Sequence, residues 1–198
     1  MKFVVFSLLL VFCDLCAAQK QDYYEQILKH REAIDLKFAT EEESPLEEKD
    51  FREFKQLTYF GIDAKFSLKA NFVRTPDTPL FAMRTTTSRL PLYRKYAEIY
   101  FSLDGKTYKL NCYQNQELAS DPEYHDYLFL PFTDLTNGET TYSGGRYLDL
   151  RIPEGDSIIL DFNKAYNPYC AYSGKYSCPM VPKENHLEIP ISAGEKKF

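Results

Sequence analysis

The sequence predicts a mainly β protein: an antiparallel sandwich or partly open barrel with two N-terminal helices. From Thr58 onward apolar residues tend to recur at every second position, which is the period of a half-buried strand. Two alternating runs flank Asp104-Gly105, a pair typical of a two-residue hairpin turn. The chain has 16 tyrosines and 15 phenylalanines but no tryptophan, and these aromatic residues fit a pleated surface.

Residues 1–18 have the layout of a secretory signal peptide. Lys2 precedes an apolar run from Phe3 to Phe12, and Cys16-Ala17-Ala18 supplies small residues for cleavage. The run is too short for a normal transmembrane helix. We therefore expect an exported protein, periplasmic or extracellular, that begins near Gln19 and has no membrane span. The alternative is a buried N-terminal helix.

A helical segment is predicted over residues 19–56, before a β domain over residues 57–198. Apolar residues recur at helical spacing from Gln21 to Phe38. Ser44-Pro45-Leu46-Glu47 then resembles a capping box with proline at the first helical position, which predicts a second helix to about Lys55. His30 lies among charged residues, and we expect no role for it.

The first strands follow from alternation and turn residues. Lys65 to Val73 alternates with Phe66, Leu68, Ala70 and Phe72 on one face, and Leu80 to Thr86 continues the β region. The Asp104-Gly105 turn fixes the register of a hairpin over Tyr96 to Tyr113. Its predicted opposite pairs are Phe101 with Tyr108, Ile99 with Leu110, and Ala97 with Cys112.

The later strands are predicted at Tyr127 to Phe132, Tyr147 to Ile152, Ser157 to Asn163 and Leu187 to Ile191. The second and third of these flank a turn, so we expect them to form a hairpin. Pairing their apolar faces puts Asp149 near Asp161. Facing carboxylates destabilise a hairpin unless solvent, an arginine, a bound cation or a shared proton compensates.

This hairpin gives the first candidate site. A polar site would have Arg146, Asp149, Asp161 and Asn163 at its floor, whereas an arginine-bridged exposed face would need no ligand. The preceding loop, which contains Tyr142, Gly144 and Gly145, could hold an anion on backbone N–H groups, or could be a plain flexible loop. Tyrosines such as Tyr142 and Tyr166 could stack on a sugar or simply pack.

Three cysteines remain after cleavage, in an oxidising compartment. Cys112 falls on the apolar face of its hairpin, so we expect a buried free thiol there. Cys170 and Cys178 are then the candidate disulfide. They could instead stay free, or bind zinc together with His186. No other cofactor is expected.

Composition argues against two classes of partner. The net charge is −5, and no dense block of Lys and Arg appears. Nucleic acids and anionic membranes are both bound through clustered cations. We therefore expect no nucleic acid, and a partner that is an unknown small molecule or protein.

Several segments resemble one known family. TYSGGRYLDL (residues 141–150), LDFNKAYNPYCAY (160–172) and CPMVPKENHLEIPISAGEK (178–196) look like signature blocks of the bacterial and archaeal family named domain of unknown function 1684. The resemblance covers roughly Pro45 to Lys196. The family has no established activity to carry over. The resemblance implies that its signature residues include Tyr142, Gly144, Gly145, Arg146, Asp149, Asp161, Asn163, Tyr166, Asn167, Cys170, Cys178, Glu184 and Asn185.

Together these observations predict an exported binding or structural β domain with a polar pocket in its C-terminal third. The alternative is a periplasmic metal-dependent or carboxylate-dependent hydrolase. A third possibility is an interaction module whose edge strand pairs with a partner.

Overall fold

The computed structural model describes residues 2–198, with side chains from Lys20 onward. The predicted signal peptide, residues 1–18, lies outside the residues whose side chains are described. The helices are α1 (Lys2–Ala39) and α2 (Glu48–Glu53). The strands are β1 (Ser67–Arg74), β2 (Leu80–Ala82), β3 (Leu92–Leu103), β4 (Lys106–Asn115), β5 (Tyr127–Asp134), β6 (Arg146–Arg151), β7 (Ser157–Asp161) and β8 (His186–Leu187).

The strands form a curved half-barrel. The order of its main path is β6-β5-β4-β3-β1-β7, with every neighbouring pair antiparallel. β2 also pairs with β3, and β8 runs parallel to β5. The predicted mainly antiparallel β fold is therefore confirmed. Two stacked sheets, as in a sandwich, are not found among residues 2–198.

The β3–β4 hairpin has the predicted register. Ala97 pairs with Cys112, Ile99 with Leu110, and Phe101 with Tyr108. Asp104 has φ of 50° and Gly105 has φ of 76°, so both turn residues adopt the left-handed conformation that this tight hairpin needs. Cys112 is fully buried, as its position on the apolar face predicts, and burial raises the pKa of its thiol to about 12.

The predicted hairpin between β6 and β7 is wrong. β6 pairs with β5, where Leu148 lies opposite Leu130, and β7 pairs with β1, where Leu160 lies opposite Leu68. The two strands therefore stand at opposite ends of the sheet. Their apolar residues do face the core as predicted. Alternation specifies which face of a strand is buried, but it does not specify the partner strand.

Helix α1 lies beside the gap between β6 and β7. Tyr23, Gln26 and Ile27 of the helix line a hollow of about 240 Å³ together with residues of both strands. Ile27 is only 1% exposed, and the Tyr23 hydroxyl donates to the Asp161 carboxylate of β7 at 3.0 Å. Among the described residues, no helix has the length and apolar character needed to cross a membrane.

The second helix is much shorter than predicted. α2 has six residues, and its N-cap is Glu47, whose side chain makes no capping hydrogen bond. Ser44 therefore does not start a helix. Leu46 is instead buried in a cluster with Phe38 of α1 and with Leu57, and this packing holds the segment before α2 out of the helix. The strand predicted over Leu187 to Ile191 is largely absent, because β8 spans only His186–Leu187.

Candidate functional site

Arg146 is an internal anchor and not an exposed ligand-binding residue. Its side chain has no exposed surface. One Nη donates to Asp134 Oδ2 and to the carbonyl of Ile191, both at 2.8 Å, and the other donates to the carbonyl of Ala193. Burial lowers the pKa of the guanidinium, and the Asp134 carboxylate opposes that shift. Arg146 thus ties the C-terminal segment to β5.

Asp161 and Asn163 also serve internal contacts. Asp161 accepts hydrogen bonds from the Tyr23 hydroxyl and from the Asn163 backbone N–H, both at 3.0 Å. Asn163 bonds both backbone groups of Asp63: its Oδ1 accepts at 3.0 Å and its Nδ2 donates at 2.8 Å. Burial, followed by the Asp161 charge, raises the pKa of Tyr23. These residues join α1, β7 and the chain before β1.

Asp149 is a predicted site residue with an exposed side chain. It lies on the exposed face of β6, and its Oδ1 accepts hydrogen bonds from the hydroxyls of Tyr127 and Tyr166, each at 2.7 Å. Burial raises the pKa of both tyrosines, and the Asp149 charge raises it further. Asp149 therefore accepts hydrogen bonds from two protonated tyrosine hydroxyls, and it lines a cavity together with Tyr166.

That cavity is the main candidate site. It has a volume of about 490 Å³ and lies between α1 and the C-terminal third of the chain. Its wall combines five Phe and Tyr side chains with polar, charged and aliphatic residues. It is lined by His30, Ile34, Lys37, Phe38, Tyr147, Asp149, Lys164, Tyr166, Asn167, Pro168, Tyr169, Tyr176, Ser177, Cys178, Pro179 and Glu195.

A buried carboxyl group forms part of the cavity wall. Glu195 accepts hydrogen bonds from the Asn167 backbone N–H and from Asn167 Nδ2, each at 2.9 Å, and from the Tyr172 hydroxyl. Burial raises the pKa of Glu195 to about 7, although these hydrogen bonds favour the carboxylate. Glu195 therefore changes charge near neutral pH.

The glycine loop is shaped by close packing. Gly145 has φ of 92°, and a Cβ there would lie 2.6 Å from Val181 Cγ2 and 2.7 Å from the Phe132 carbonyl oxygen. A Cβ on Gly144 would lie 2.5 Å from the Tyr142 ring. Both glycines thus permit close approach within the protein. Neither they nor Tyr142 line the cavity.

Cys170 and Cys178 come together, but they are not bonded. The Cys170 backbone N–H donates to Cys178 Sγ at 3.1 Å, while all three described cysteines are free thiols. His186 does not join them, because its Nδ1 is paired with the Thr133 hydroxyl at 3.0 Å. Within the described residues, no group of three or more His, Cys, Asp or Glu side chains could hold a metal ion.

Sequence reasoning missed the contribution of α1 to the cavity. The cavity residues of α1 have the spacing of one helical face, which is visible in the sequence: His30, Ile34, Lys37 and Phe38. His30 was expected to have no role, yet it lines the cavity, and its buried Nε2 has no hydrogen-bond partner within the described residues. Burial lowers the pKa of its imidazole, and Lys164 lowers it further.

Comparison with known proteins identifies the family. The family model described as "Protein of unknown function (DUF1684)" matches residues 52–196. The chain belongs to this family. The solution NMR structure of an uncharacterized protein from Haloarcula marismortui, gene locus rrnAC0354, is similar, with a TM-score of 0.69 and 32% sequence identity. The alignment covers 90% of this chain and 96% of the other. A search of curated proteins gave no match.

The DUF1684 match includes only part of the cavity wall. The matched residues 52–196 include Tyr147, Asp149, Tyr166 and Glu195 of the cavity wall. They also include Cys170 and Cys178. The α1 residues His30 to Phe38 lie before the matched segment. The sheet side of the cavity therefore belongs to the DUF1684 segment, and the helical side comes from the preceding part of the chain.

Proposed function

We propose that this DUF1684 protein is an exported binding domain for a small organic molecule that enters the cavity between α1 and the C-terminal third. A volume of about 490 Å³ falls within the range of about 300–1,000 Å³ typical of small-molecule sites. Such sites usually combine an apolar wall with a few polar groups that orient the ligand. The five aromatic side chains of the wall carry this proposal: Phe38, Tyr147, Tyr166, Tyr169 and Tyr176.

The chemistry of the wall supports a planar organic anion as the ligand. Aromatic rings give a ring-shaped ligand large contact surfaces. Lys37 and Lys164 are exposed cations among the lining residues, so they can pair with a carboxylate or sulfonate. His30 Nε2, which has no partner among the described residues, and the Tyr166 hydroxyl held by Asp149 can hydrogen bond to polar atoms of the ligand. His30 would be uncharged at neutral pH, since its pKa is lowered.

Export is supported by the sequence of residues 1–18, with its positive start, apolar run and small residues at the cleavage position. An oxidising destination would also suit the contact between Cys170 and Cys178 as a disulfide. The mature domain would begin near Gln19, so the cavity face of α1 would remain.

The hydrolase alternative has one observation in its favour. Asp149 lines the same cavity as His30, whose Nε2 has no partner among the residues with described side chains, and an imidazole there can act as a general base. The polar site residues predicted from the sequence give less support to a hydrolase, because Arg146, Asp161 and Asn163 are buried and hydrogen bonded within the protein. Hydrolysis of a nitrophenyl ester by the wild type that is lost in His30→Ala would favour this alternative.

Binding can be tested with 8-anilinonaphthalene-1-sulfonate, a fluorescent aromatic anion. The native mature protein should bind one molecule, and the fluorescence should disappear when the protein unfolds. Ile34→Trp, which places a larger side chain on the cavity wall, should weaken binding by at least tenfold. Leu36→Trp is the matched control, because Leu36 is 69% exposed on the same helix and does not line the cavity.

Melting curves should first establish that both tryptophan variants remain folded. Equal affinities for Ile34→Trp and Leu36→Trp would place the dye elsewhere and would contradict the proposed site. Failure of the native protein to bind the dye or any aromatic carboxylate would contradict the proposed ligand class.

A further inference from the structure

Cys170 and Cys178 are in contact, and their surroundings differ: the backbone of Cys178 is held by hydrogen bonds, whereas Cys170 is more accessible. The backbone of Cys178 is paired with Thr86: its N–H donates to Thr86 Oγ1 at 3.1 Å, and its carbonyl accepts from the Thr86 N–H at 2.9 Å. Cys178 is 6% exposed, whereas Cys170 is half-buried in a short helical turn, Tyr169–Ala171. The Tyr142 hydroxyl lies 3.9 Å from Cys170 Sγ.

The surroundings favour the thiolate at Cys170. The neighbouring Cys178 thiol lowers the pKa of Cys170 against the effect of burial, and the Tyr142 hydroxyl lowers it further. Cys170 in turn raises the pKa of Cys178, and burial adds to this. One contact acts the other way, because the Cys170 backbone N–H donates to Cys178 Sγ. The greater exposure of Cys170 decides which sulfur meets a reagent.

We propose that Cys170 and Cys178 form a reversible thiol–disulfide exchange site for low-molecular-weight disulfides, with Cys170 as the attacking sulfur, and that its redox state controls the rim of the cavity. The Cys170 thiolate attacks a disulfide RSSR, forms a mixed disulfide and releases RS⁻. Cys178 then loses its proton and attacks Cys170 Sγ, which releases the second RS⁻. The small disulfide is reduced, and the protein pair is oxidised.

The pair is connected to the cavity through the loop that it would close. Tyr176 lies inside this loop and Tyr169 directly precedes it; their ring centroids are 5.1 Å apart, and both line the cavity. Cys178 itself also lines the cavity. A bond between the two sulfurs would fix both ends of the loop and so restrict these rings. This second part of the inference rests on the proposed function.

Exchange is tested on the mature wild-type protein in buffers that run from reduced to oxidised glutathione. Samples are quenched with acid and alkylated after unfolding, and the intact mass of the protein is then measured by mass spectrometry. Two thiols should disappear together in one two-electron transition, and Cys112 should remain alkylatable. Retention of all three thiols in oxidised glutathione would overturn the proposal, as would a pair that glutathione cannot reduce.

Single variants identify the attacking sulfur. Cys178→Ser should accumulate a stable glutathione adduct on Cys170, whereas Cys170→Ser should form at least tenfold less adduct on Cys178. The reverse pattern would contradict the assignment.

Tyr142→Phe should move the pH midpoint of Cys170 alkylation upward, and an unchanged midpoint would remove Tyr142 as a positioning residue. Urea midpoints verify that each variant is folded.

The link to the cavity has its own measurement. The affinity for anilinonaphthalene sulfonate should differ at least threefold between the reduced and oxidised protein. Equal affinities would overturn control of the rim while leaving exchange intact. Absence of dye binding in both states, with normal exchange, would instead contradict the proposed binding function.

Discussion

Arg146 illustrates how a charged side chain can belong entirely to the core. Its partners are one carboxylate, Asp134, and backbone carbonyls of the C-terminal segment. Asp134 in turn accepts hydrogen bonds from the Thr136 backbone N–H at 2.9 Å and from the Ile191 backbone N–H at 3.1 Å. The pair therefore joins β5, β6 and the chain after β8.

Removing Arg146 should be strongly destabilising. Arg146→Ala leaves Asp134 buried without its ionic partner, so we expect the free energy of unfolding to fall by about 3–5 kcal/mol. Urea denaturation of the mature protein measures this. Arg151→Ala is the matched control: its ion pair with Asp126 is at the surface and screened by solvent, so its loss should change the free energy of unfolding little. Similar losses in the two variants would contradict the anchoring role.

Glu195 predicts a pH dependence of stability. Its pKa is raised from 4.5 to about 7, so the folded state retains a proton that the unfolded state has released. The free energy of unfolding should therefore fall as pH rises from about 4.5 to 7, by at most roughly 3 kcal/mol from this group. Urea titrations across this window should show the slope in the wild type and its loss in Glu195→Gln.

The exposed Glu188 supplies a control for this slope. Glu188→Gln should retain the wild-type pH dependence, since Glu188 is at the surface and does not share the contacts of Glu195. A slope that survives in Glu195→Gln would assign the effect to another group.

At the scale of elements, α1 is part of the β domain's core and not an appendage. Ile27 is buried over the hollow between β6 and β7, and Phe38 packs with Leu46, Leu57 and Tyr172. The helix thus has contacts with the sheet at one end and with the C-terminal segment at the other.

Two neighbouring residues of α1 test its role. Ile27→Ala should lower the free energy of unfolding by about 2–4 kcal/mol, because it leaves a cavity beside the sheet. Leu28→Ala should cost less than about 1 kcal/mol, since Leu28 is 49% exposed. Both values come from urea denaturation. Equal small losses would mean that α1 docks only weakly.

Local signals predicted some elements well and others poorly. The Asp104-Gly105 turn defines its hairpin within a few residues, so the register could be derived position by position. β6 and β7 carry equally clear alternation, but alternation contains no information about the partner strand. β6 pairs with the preceding strand β5, whereas β7 pairs with β1, which is distant in sequence. The capping pattern at Ser44 failed because the burial of Leu46 outweighs a local preference.

The candidate site was only partly predictable for the same reason. Asp149, Tyr166 and Asn167 were selected from the sequence, and all three line the cavity. His30 and Glu195 were missed because the cavity forms only where α1 meets the C-terminal segment. For Arg146, Asp161 and Asn163 the sequence left open a polar site or an arginine-bridged exposed face, because polar residue type alone cannot separate a satisfied buried network from an open site.

At the scale of the whole molecule, the proposed export makes a prediction about the mature N-terminus. Expression in a bacterial secretion host should yield a chain beginning at Gln19, measured by intact mass of the exported fraction. Ala18→Asp should block processing, because the cleavage site needs a small residue there. A full-length protein that stays in the cytoplasm with residues 1–18 intact would contradict export.

The pairing of β1 with β7 has a consequence for how the chain folds. Ser67 lies opposite Asp161, more than ninety positions away, while the β3–β4 hairpin joins near neighbours. Long-range pairings form slowly, so the β3–β4 hairpin should form early in folding. The pairing of β1 with β7 should form late. Until then, Ser67–Arg74 presents an open edge on which other chains can assemble. Lys69 and Arg74 are exposed on that strand, and their charges disfavour pairing of this open edge with another chain during folding.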